Sequence, residues 1–195
     1  MLYSLPNILT ISRIVAIPLI VALFWVKGDA ARWAMLTLYS MACITDYFDG
    51  MLARSMGQIS NLGRFLDPVA DKLLVSALLM MLVWSGDISG LVILPALVIL
   101  CREILVSGLR EFLAGIKVGV PVSSLAKWKT TVQMFALGFL IVGAAGPAFW
   151  YAEITTTAVG ETLLWAAALL TMITGYDYLR AGLKYMSEDH DPPKA

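Results

Sequence analysis

The stretch DYFDGMLARSMGQISNLGRFLDPVADK, from Asp46 to Lys72, places four aspartates inside sequence that is otherwise strongly apolar. Asp46 and Asp49 are three positions apart, and Asp67 and Asp71 are four positions apart. Side chains at these spacings lie on one face of a helix. The stretch therefore predicts two consecutive helices, each of which presents a pair of carboxylates.

The break between these two helices, at about residues 55–62, is rich in Gly, Ser and Asn, so the second helix can turn back antiparallel to the first. The four carboxylates are then expected to converge. Four negative charges at the edge of a membrane repel one another and lose hydration, so they require cations among them. A site of carboxylate oxygens without His or Cys favours Mg²⁺ or Mn²⁺ over Zn²⁺. Four carboxylates can together hold two such ions about 3.5–4 Å apart.

The composition is that of a membrane protein. The chain has 195 residues, of which 59% are hydrophobic and only 14% are charged, and its mean hydropathy is +0.81. An ordinary soluble domain is less apolar. The formal net charge is zero, so there is no overall positive field that would attract nucleic acid, and no nucleic-acid partner is expected.

Six apolar segments are each close to the roughly 20 residues that cross a bilayer. We expect an all-α, polytopic membrane protein with six transmembrane helices at about residues 8–26, 31–54, 61–84, 91–114, 124–143 and 157–184. Residues 1–186 are then a single transmembrane domain, and residues 187–195 are a polar tail. Asp87, in the break after the third segment, is expected to be an ordinary solvated loop charge.

The distribution of basic residues predicts the orientation. Six spans place both termini on the same side of the membrane. If that side is the cytoplasm, 12 of the 14 Lys and Arg residues fall in the cytoplasmic half, and only Lys27 and Arg32 lie outside. Short cytoplasmic segments carry such an excess of basic residues. Both termini and all four aspartates are therefore expected to face the cytoplasm.

Several cations lie within or at the ends of the predicted helices. Arg102 and Arg110 are eight positions apart, about two turns, and so share a face of the fourth helix. A cation in a membrane segment is costly and usually faces a polar cavity or a carboxylate, although long side chains near helix ends also snorkel to the headgroups. A cavity suited to phosphate is predicted, lined by Arg54, Arg64, Arg102, Arg110, Lys127 and Lys129.

The acidic stretch has a recognisable spacing, Asp46-x2-Asp49-Gly50-x2-Ala53-Arg54-x8-Gly63-x3-Asp67-x3-Asp71. It resembles the signature of the CDP-alcohol phosphotransferases, integral membrane enzymes that move a phosphatidyl or similar group from a CDP-linked donor to an alcohol. The resemblance implies that the four aspartates bind two divalent cations, Mg²⁺ or Mn²⁺. It also implies that Asp71 is the general base, a role that is compatible with metal binding at the edge of the cluster.

The same resemblance implies a donor site. Gly50, Arg54 and Ser60 are expected to contact the cytidine diphosphate, and Gly50 has no side chain to obstruct the nucleotide. The N-terminal Pro6-Asn7-Ile8-Leu9-Thr10-x2-Arg13 also resembles the family. Asn7 and Thr10 are therefore expected to frame the donor.

Residues 65–72, 102–111 and 127–134 resemble one branch of that family, the bacterial phosphatidylglycerophosphate synthases. The implied substrates are CDP-diacylglycerol and sn-glycerol 3-phosphate, and the implied products are phosphatidylglycerophosphate and CMP. Extra cations suit an acceptor that carries its own phosphate, so the expected acceptor site is Arg102, Arg110, Lys127 and Lys129. The resemblance also implies a homodimer in the bacterial cytoplasmic membrane, in contact with the lipid bilayer.

Two alternatives stay open. The first is a sister phosphotransferase whose acceptor is inositol phosphate, serine or phosphatidylglycerol, because the shared signature does not specify the acceptor. The second is a divalent-cation channel or transporter, although a conduction path should offer polar groups towards both faces. The resemblance covers roughly residues 5–135, and the sequence beyond the fifth helix reads only as a generic hydrophobic tail.

Overall fold

The computed structural model describes residues 5–55, 61–115, 124–147 and 154–187. These ranges contain six α-helices and no β-strand, so the all-α fold class is confirmed. The helices are α1 (Leu5–Leu23), α2 (Asp29–Ser55), α3 (Asn61–Trp84), α4 (Ile93–Gly115), α5 (Ser124–Val142) and α6 (Thr156–Ser187). Their bounds lie within a few residues of the six predicted segments.

Two helices end at glycines with positive φ. The backbone φ is +83° at Gly86, just after α3, and +52° at Gly143, just after α5. Glycine adopts this left-handed region at little cost, whereas a side chain disfavours it. The turn after α3 is closed by a hydrogen bond of 2.9 Å from the Ile88 amide to the Leu82 carbonyl.

Helix α6 packs closely against α5 and α4, and α1 packs against α2 and α3. Glycines allow these close approaches. A Cβ at Gly160 would lie 2.8 Å from Leu140 Cγ of α5, and a Cβ at Gly182 would lie 2.7 Å from Leu109 Cδ1 of α4. Small residues have the same role where helices meet inside membranes. The core between the helices is built from fully buried aliphatic side chains such as Leu78, Leu82, Ile99, Leu137, Leu140, Ile141 and Leu164.

Three of the described segments are long and apolar enough to cross a membrane: Gly90–Gly115, Leu125–Ala145 and Thr156–Leu183. A shorter apolar helix covers Asn7–Leu23. Helices α2 and α3 carry the aspartate stretch, and these charges lower their hydropathy. The count of six spans and the position of the termini stay predictions.

A small ionic cluster lies where α2 begins and α3 and α5 end. Arg32 Nη1 is 2.6 Å from Asp87 Oδ2 and also donates to the Ile141 carbonyl at 3.3 Å. Ser85 donates a further hydrogen bond to Asp87, whose side chain is only 16% exposed. The expectation that Asp87 is an ordinary solvated charge is therefore wrong, because folding brings Arg32 onto the turn that follows α3.

Candidate active site

A polar cavity of about 740 Å³ is lined by side chains from α2, α3, α4, α5 and α6. Seven of the sequence-predicted site residues line this one cavity: Asp46, Asp67, Asp71, Arg102, Arg110, Lys127 and Lys129. They come from four helices that are far apart in the sequence. The fold therefore brings together the predicted acidic group and the predicted basic group.

Helix α1 contacts two of the aspartates in the cavity wall, Asp67 and Asp46. Thr10 is buried and donates a hydrogen bond of 2.6 Å from its hydroxyl to Asp67 Oδ1. Arg13, one turn further along α1, is 1% exposed and forms an ion pair with Asp46. A buried guanidinium requires such a partner, because its desolvation is otherwise very costly. The Asp46 side chain is still 46% exposed, so it can meet both Arg13 and a ligand in the cavity.

Arg13 is a site residue that the sequence analysis did not select. The signal was present, because an arginine in an apolar segment should face a carboxylate or a polar cavity. Its partner was not apparent, since Asp46 lies 33 residues further along the chain, on another helix.

The aspartates of the cavity offer the kind of oxygen donor that suits a hard divalent cation. Asp46, Asp67 and Asp71 offer only carboxylate oxygens to the cavity, the ligands that Mg²⁺ and Mn²⁺ prefer. Among the side chains that the structure describes, no three acidic, His or Cys groups are close enough to form a complete ligand set. The side chain of Asp49 lies outside that part of the structure, so the predicted set of four is not described in full.

The basic part of the cavity depends on α6. The Cζ atoms of Arg102 and Arg110 lie 5.9 Å and 5.5 Å from the centre of the Tyr178 ring. Arg110 Nη2 also donates to the Tyr178 hydroxyl at 3.2 Å, and Arg102 Nη2 donates to Thr174 Oγ1 at 3.1 Å. Tyr178 is 5% exposed. Both guanidinium groups are attracted to the negative face of its ring, so Tyr178 helps to fix their positions.

A carboxylate lies among these cations. Glu103 Oε1 is in contact with Lys129 Nζ and lies 3.4 Å from Arg102 Nη1. Lys129 is 4% exposed, so it is a buried, paired lysine, whereas Lys127 is exposed to the cavity. Neither Glu103 nor any α6 residue was predicted from the sequence as a site residue. The position of Glu103 next to Arg102 was a usable signal, but nothing in the apolar pattern of α6 distinguished Tyr178.

The predicted donor residues are only partly described. Asn7 is 2% exposed and Thr10 is 1% exposed, and both lie on α1. Gly50 and Arg54 belong to α2, but the surroundings of Gly50 and the side chain of Arg54 lie outside the described part, and Ser60 lies outside it altogether.

A second cavity of about 720 Å³ is an apolar groove between α2 and α5. It runs from Cys43, near the aspartates, to Trp33, near the start of α2, and also reaches Pro147. The groove and the polar cavity share Cys43, Thr131 and Met134 in their linings. A charged compartment and an apolar compartment therefore lie side by side.

Known proteins with similar sequences are named as phosphatidyltransferases. The family model for CDP-alcohol phosphatidyltransferase matches residues 3–173. A protein of Rickettsia bellii is 50% identical over 182 residues, which cover 93% of this chain and 97% of the relative. A protein of Shigella flexneri serotype 5b is 40% identical, over 93% of this chain and 96% of its own length.

A third relative, from Cereibacter sphaeroides, is 38% identical over 96% of this chain and 99% of its own length. All three relatives are named CDP-diacylglycerol–glycerol-3-phosphate 3-phosphatidyltransferase. The resemblance found in the aspartate stretch is confirmed by these matches over most of the chain. The chain belongs to the CDP-alcohol phosphatidyltransferase family and is a phosphatidyltransferase.

Proposed function

We propose that this enzyme transfers the phosphatidyl group of CDP-diacylglycerol to sn-glycerol 3-phosphate, giving phosphatidylglycerophosphate and CMP. The observation that carries the proposal is the single cavity that holds Asp46, Asp67 and Asp71 together with Arg102 and Arg110. The carboxylates can hold the divalent cations that a diphosphate donor requires. The arginines can bind a second phosphate, the one on the acceptor. The names of the relatives support the same pair of substrates.

The two adjoining cavities fit an amphipathic donor. A CDP-linked lipid has a charged diphosphate and apolar tails, and a polar cavity that shares lining residues with an apolar groove offers both environments. Its headgroup would lie near the acidic residues, with Gly50, Arg54 and Ser60 as the proposed contacts of the cytidine diphosphate and with Asn7 and Thr10 framing the donor from α1.

Asp46, Asp49, Asp67 and Asp71 would hold two divalent cations, Mg²⁺ or Mn²⁺. When bound, such ions neutralise diphosphate charge and make the nucleoside monophosphate a better leaving group. The protein itself supplies the orientation of the carboxylates. Thr10 fixes Asp67, and Arg13 contacts Asp46, so that two of the four carboxylates are held from α1.

The reaction is a displacement at phosphorus. The primary hydroxyl oxygen of the acceptor forms a bond to the lipid-bearing phosphorus, and the bond from this phosphorus to the CMP oxygen breaks, with the electron pair leaving on CMP. The hydroxyl proton passes to the Asp71 carboxylate, which is exposed to the cavity. Positioning of the two substrates and a favourable electrostatic field supply most of the remaining acceleration.

Arg102, Arg110, Lys127 and Lys129 form the proposed site for the acceptor phosphate. Arginine binds phosphate through a planar fork of donors, and Tyr178 contacts two such forks that lie about two turns apart on α4. An acceptor without a phosphate, such as serine, would make less use of these cations, of which Arg102 and Lys129 already have Glu103 as an anionic partner. The basic group therefore favours glycerol 3-phosphate over serine.

The proposal includes a place for the enzyme in the cell. Residues 1–186 would form one domain of six spans in the bacterial cytoplasmic membrane, with both termini and the polar cavity on the cytoplasmic side. The excess of basic residues in that half supports this orientation. A homodimer is part of the same proposal.

The test is CMP release by purified protein in detergent with CDP-diacylglycerol and Mg²⁺. Glycerol 3-phosphate, inositol phosphate, serine and phosphatidylglycerol are compared as acceptors, and EDTA followed by excess Mg²⁺ tests the cation requirement. We expect release with glycerol 3-phosphate alone, lost with EDTA and restored by Mg²⁺. Release with another acceptor would contradict the acceptor assignment, and no release with any acceptor would contradict the proposed function.

A further inference from the structure

Gln133 lies on α5, one turn after Lys129, and lines the polar cavity. Gln133 is 4% exposed, and its amide oxygen Oε1 is buried and has no hydrogen-bond partner among the residues that the structure describes. A buried oxygen in this state destabilises the folded protein, since it has lost its contacts with water and has gained nothing in return. An orphaned acceptor in the wall of a cavity is explained if a ligand supplies the donor.

The chemistry of that atom restricts the ligand group. An amide oxygen accepts hydrogen bonds and donates none, so it cannot bind a phosphate oxygen, which is also an acceptor. It binds a hydroxyl or an N–H group. In the proposed reaction the basic residues bind the acceptor phosphate, and Asp71 contacts the primary hydroxyl. The secondary hydroxyl is the polar group of glycerol 3-phosphate that still lacks a partner.

We propose that Gln133 Oε1 accepts a hydrogen bond from the secondary hydroxyl of the acceptor and is a specificity-determining residue of the enzyme. This inference rests on the proposed function. Asp71 on α3, Arg102 on α4 and Gln133 on α5 would then bind the two hydroxyls and the phosphate of one small molecule from three sides of the cavity. A pocket built to hydrogen-bond a hydroxyl discriminates strongly against an analogue that lacks it.

A second buried oxygen provides a matched control. Thr171 Oγ1 on α6 is also buried and likewise has no hydrogen-bond partner within the described part of the chain, but Thr171 is not among the residues that line the polar cavity. If orphaned oxygens merely reflect imperfect packing, Gln133 and Thr171 should behave alike. If Gln133 is a ligand-binding group, only its removal should change the choice of acceptor.

The experiment compares two acceptors in steady-state CMP release with CDP-diacylglycerol and Mg²⁺. One is glycerol 3-phosphate, and the other is 3-hydroxypropyl phosphate, which keeps the primary hydroxyl and the phosphate and lacks only the secondary hydroxyl. We expect the unmodified enzyme to prefer glycerol 3-phosphate by roughly 10- to 100-fold in kcat/KM. Gln133→Leu should reduce this preference to about twofold or less, mainly by losing efficiency with glycerol 3-phosphate, and Thr171→Val should keep it.

Gln133→Met, which is unbranched and close in size, provides a second variant if Gln133→Leu does not fold, and it should lose the preference in the same way. The inference is overturned if the unmodified enzyme treats both acceptors alike, or if a folded Gln133 variant keeps the preference. A failure of the proposed function looks different, because the unmodified enzyme would then release no CMP with either acceptor.

Discussion

The Thr10 hydroxyl on α1 donates a hydrogen bond of 2.6 Å to the Asp67 carboxylate on α3, across a separation of 57 residues in the chain. Thr10 is buried, whereas Asp67 lines the polar cavity. The first helix therefore takes part in the site without lining the cavity itself. It orients one proposed metal ligand directly, and through Arg13 it contacts a second, Asp46.

Removal of the Thr10 hydroxyl should weaken the binding of divalent cations. Thr10→Val keeps the shape of the side chain and loses the hydrogen bond to Asp67. Loss of such a supporting contact typically weakens metal affinity by about 10- to 100-fold. The Mg²⁺ concentration for half-maximal CMP release should rise by a similar factor. Thr10→Ser, which keeps the hydroxyl, is the control, and equal Mg²⁺ requirements in both variants would contradict this role.

Asp71→Asn should abolish transfer while the protein still folds. The amide is similar in size to the carboxylate but cannot accept the hydroxyl proton, and general bases contribute about 10²- to 10⁴-fold to rates. Loss of a metal ligand would reduce the rate further. CMP release under saturating substrates measures the effect, and gel filtration with thermal unfolding checks the fold. Asp177→Asn, an exposed position on α6, is the control and should be fully active. Near-normal turnover of Asp71→Asn would remove this residue from the mechanism.

Tyr178 should affect the acceptor more than the donor. Tyr178→Phe keeps the ring that contacts both arginines but loses the hydrogen bond from Arg110, so the KM for glycerol 3-phosphate should rise by roughly 3- to 10-fold. Tyr178→Leu also loses the ring and should raise this KM further. The KM for CDP-diacylglycerol should change little in either variant.

Tyr176, two positions away on α6 and 65% exposed, is the matched control for Tyr178. Tyr176→Phe and Tyr176→Leu should leave both KM values unchanged. If the Tyr178 variants lower kcat at unchanged acceptor KM, the tyrosine does not position the two arginines for phosphate.

Gly160→Ala should destabilise the protein. The added Cβ would lie 2.8 Å from Leu140 Cγ and 3.1 Å from the Leu140 backbone nitrogen, so α5 and α6 would have to separate. Overpacking of this kind costs about 1–3 kcal/mol. The apparent Tm in detergent should fall. In Gly108→Ala on α4, the added Cβ meets no atom of the described residues within 4 Å, so the Tm should stay unchanged or rise slightly, because alanine favours helix. Equal Tm values for the two variants would contradict the close contact.

The sequence was sufficient to predict the helices and the main members of the site. Long apolar runs separated by turn residues locate six helices, and α3 was placed at its observed bounds. Helix periodicity places aspartates three and four positions apart, and arginines eight positions apart, on shared helix faces. This holds irrespective of how the helices pack together. The cavity residues on α2, α3 and α4 therefore follow from local periodicity.

Partners across helices could not be predicted in the same way. The contacts of Arg110 with Tyr178 and of Lys129 with Glu103 join residues that are 68 and 26 positions apart in the chain and lie on different helices. They depend on which faces of α4, α5 and α6 meet, and this is determined by packing at small residues such as Gly182. The sequence of α6 reads as a generic hydrophobic tail, whereas in the structure Tyr178 of α6 is part of the cavity wall.

The shared lining of the polar cavity and the apolar groove, at Cys43, Thr131 and Met134, has a kinetic consequence. A donor held across both compartments would keep its tails on the lipid side throughout turnover. The donor then arrives, and the lipid product leaves, by lateral diffusion in two dimensions. Its effective concentration is then a mole fraction in the membrane or micelle. Dilution of the donor with inert detergent at constant bulk concentration should slow the enzyme, whereas the water-soluble acceptor and CMP should obey ordinary volume concentrations.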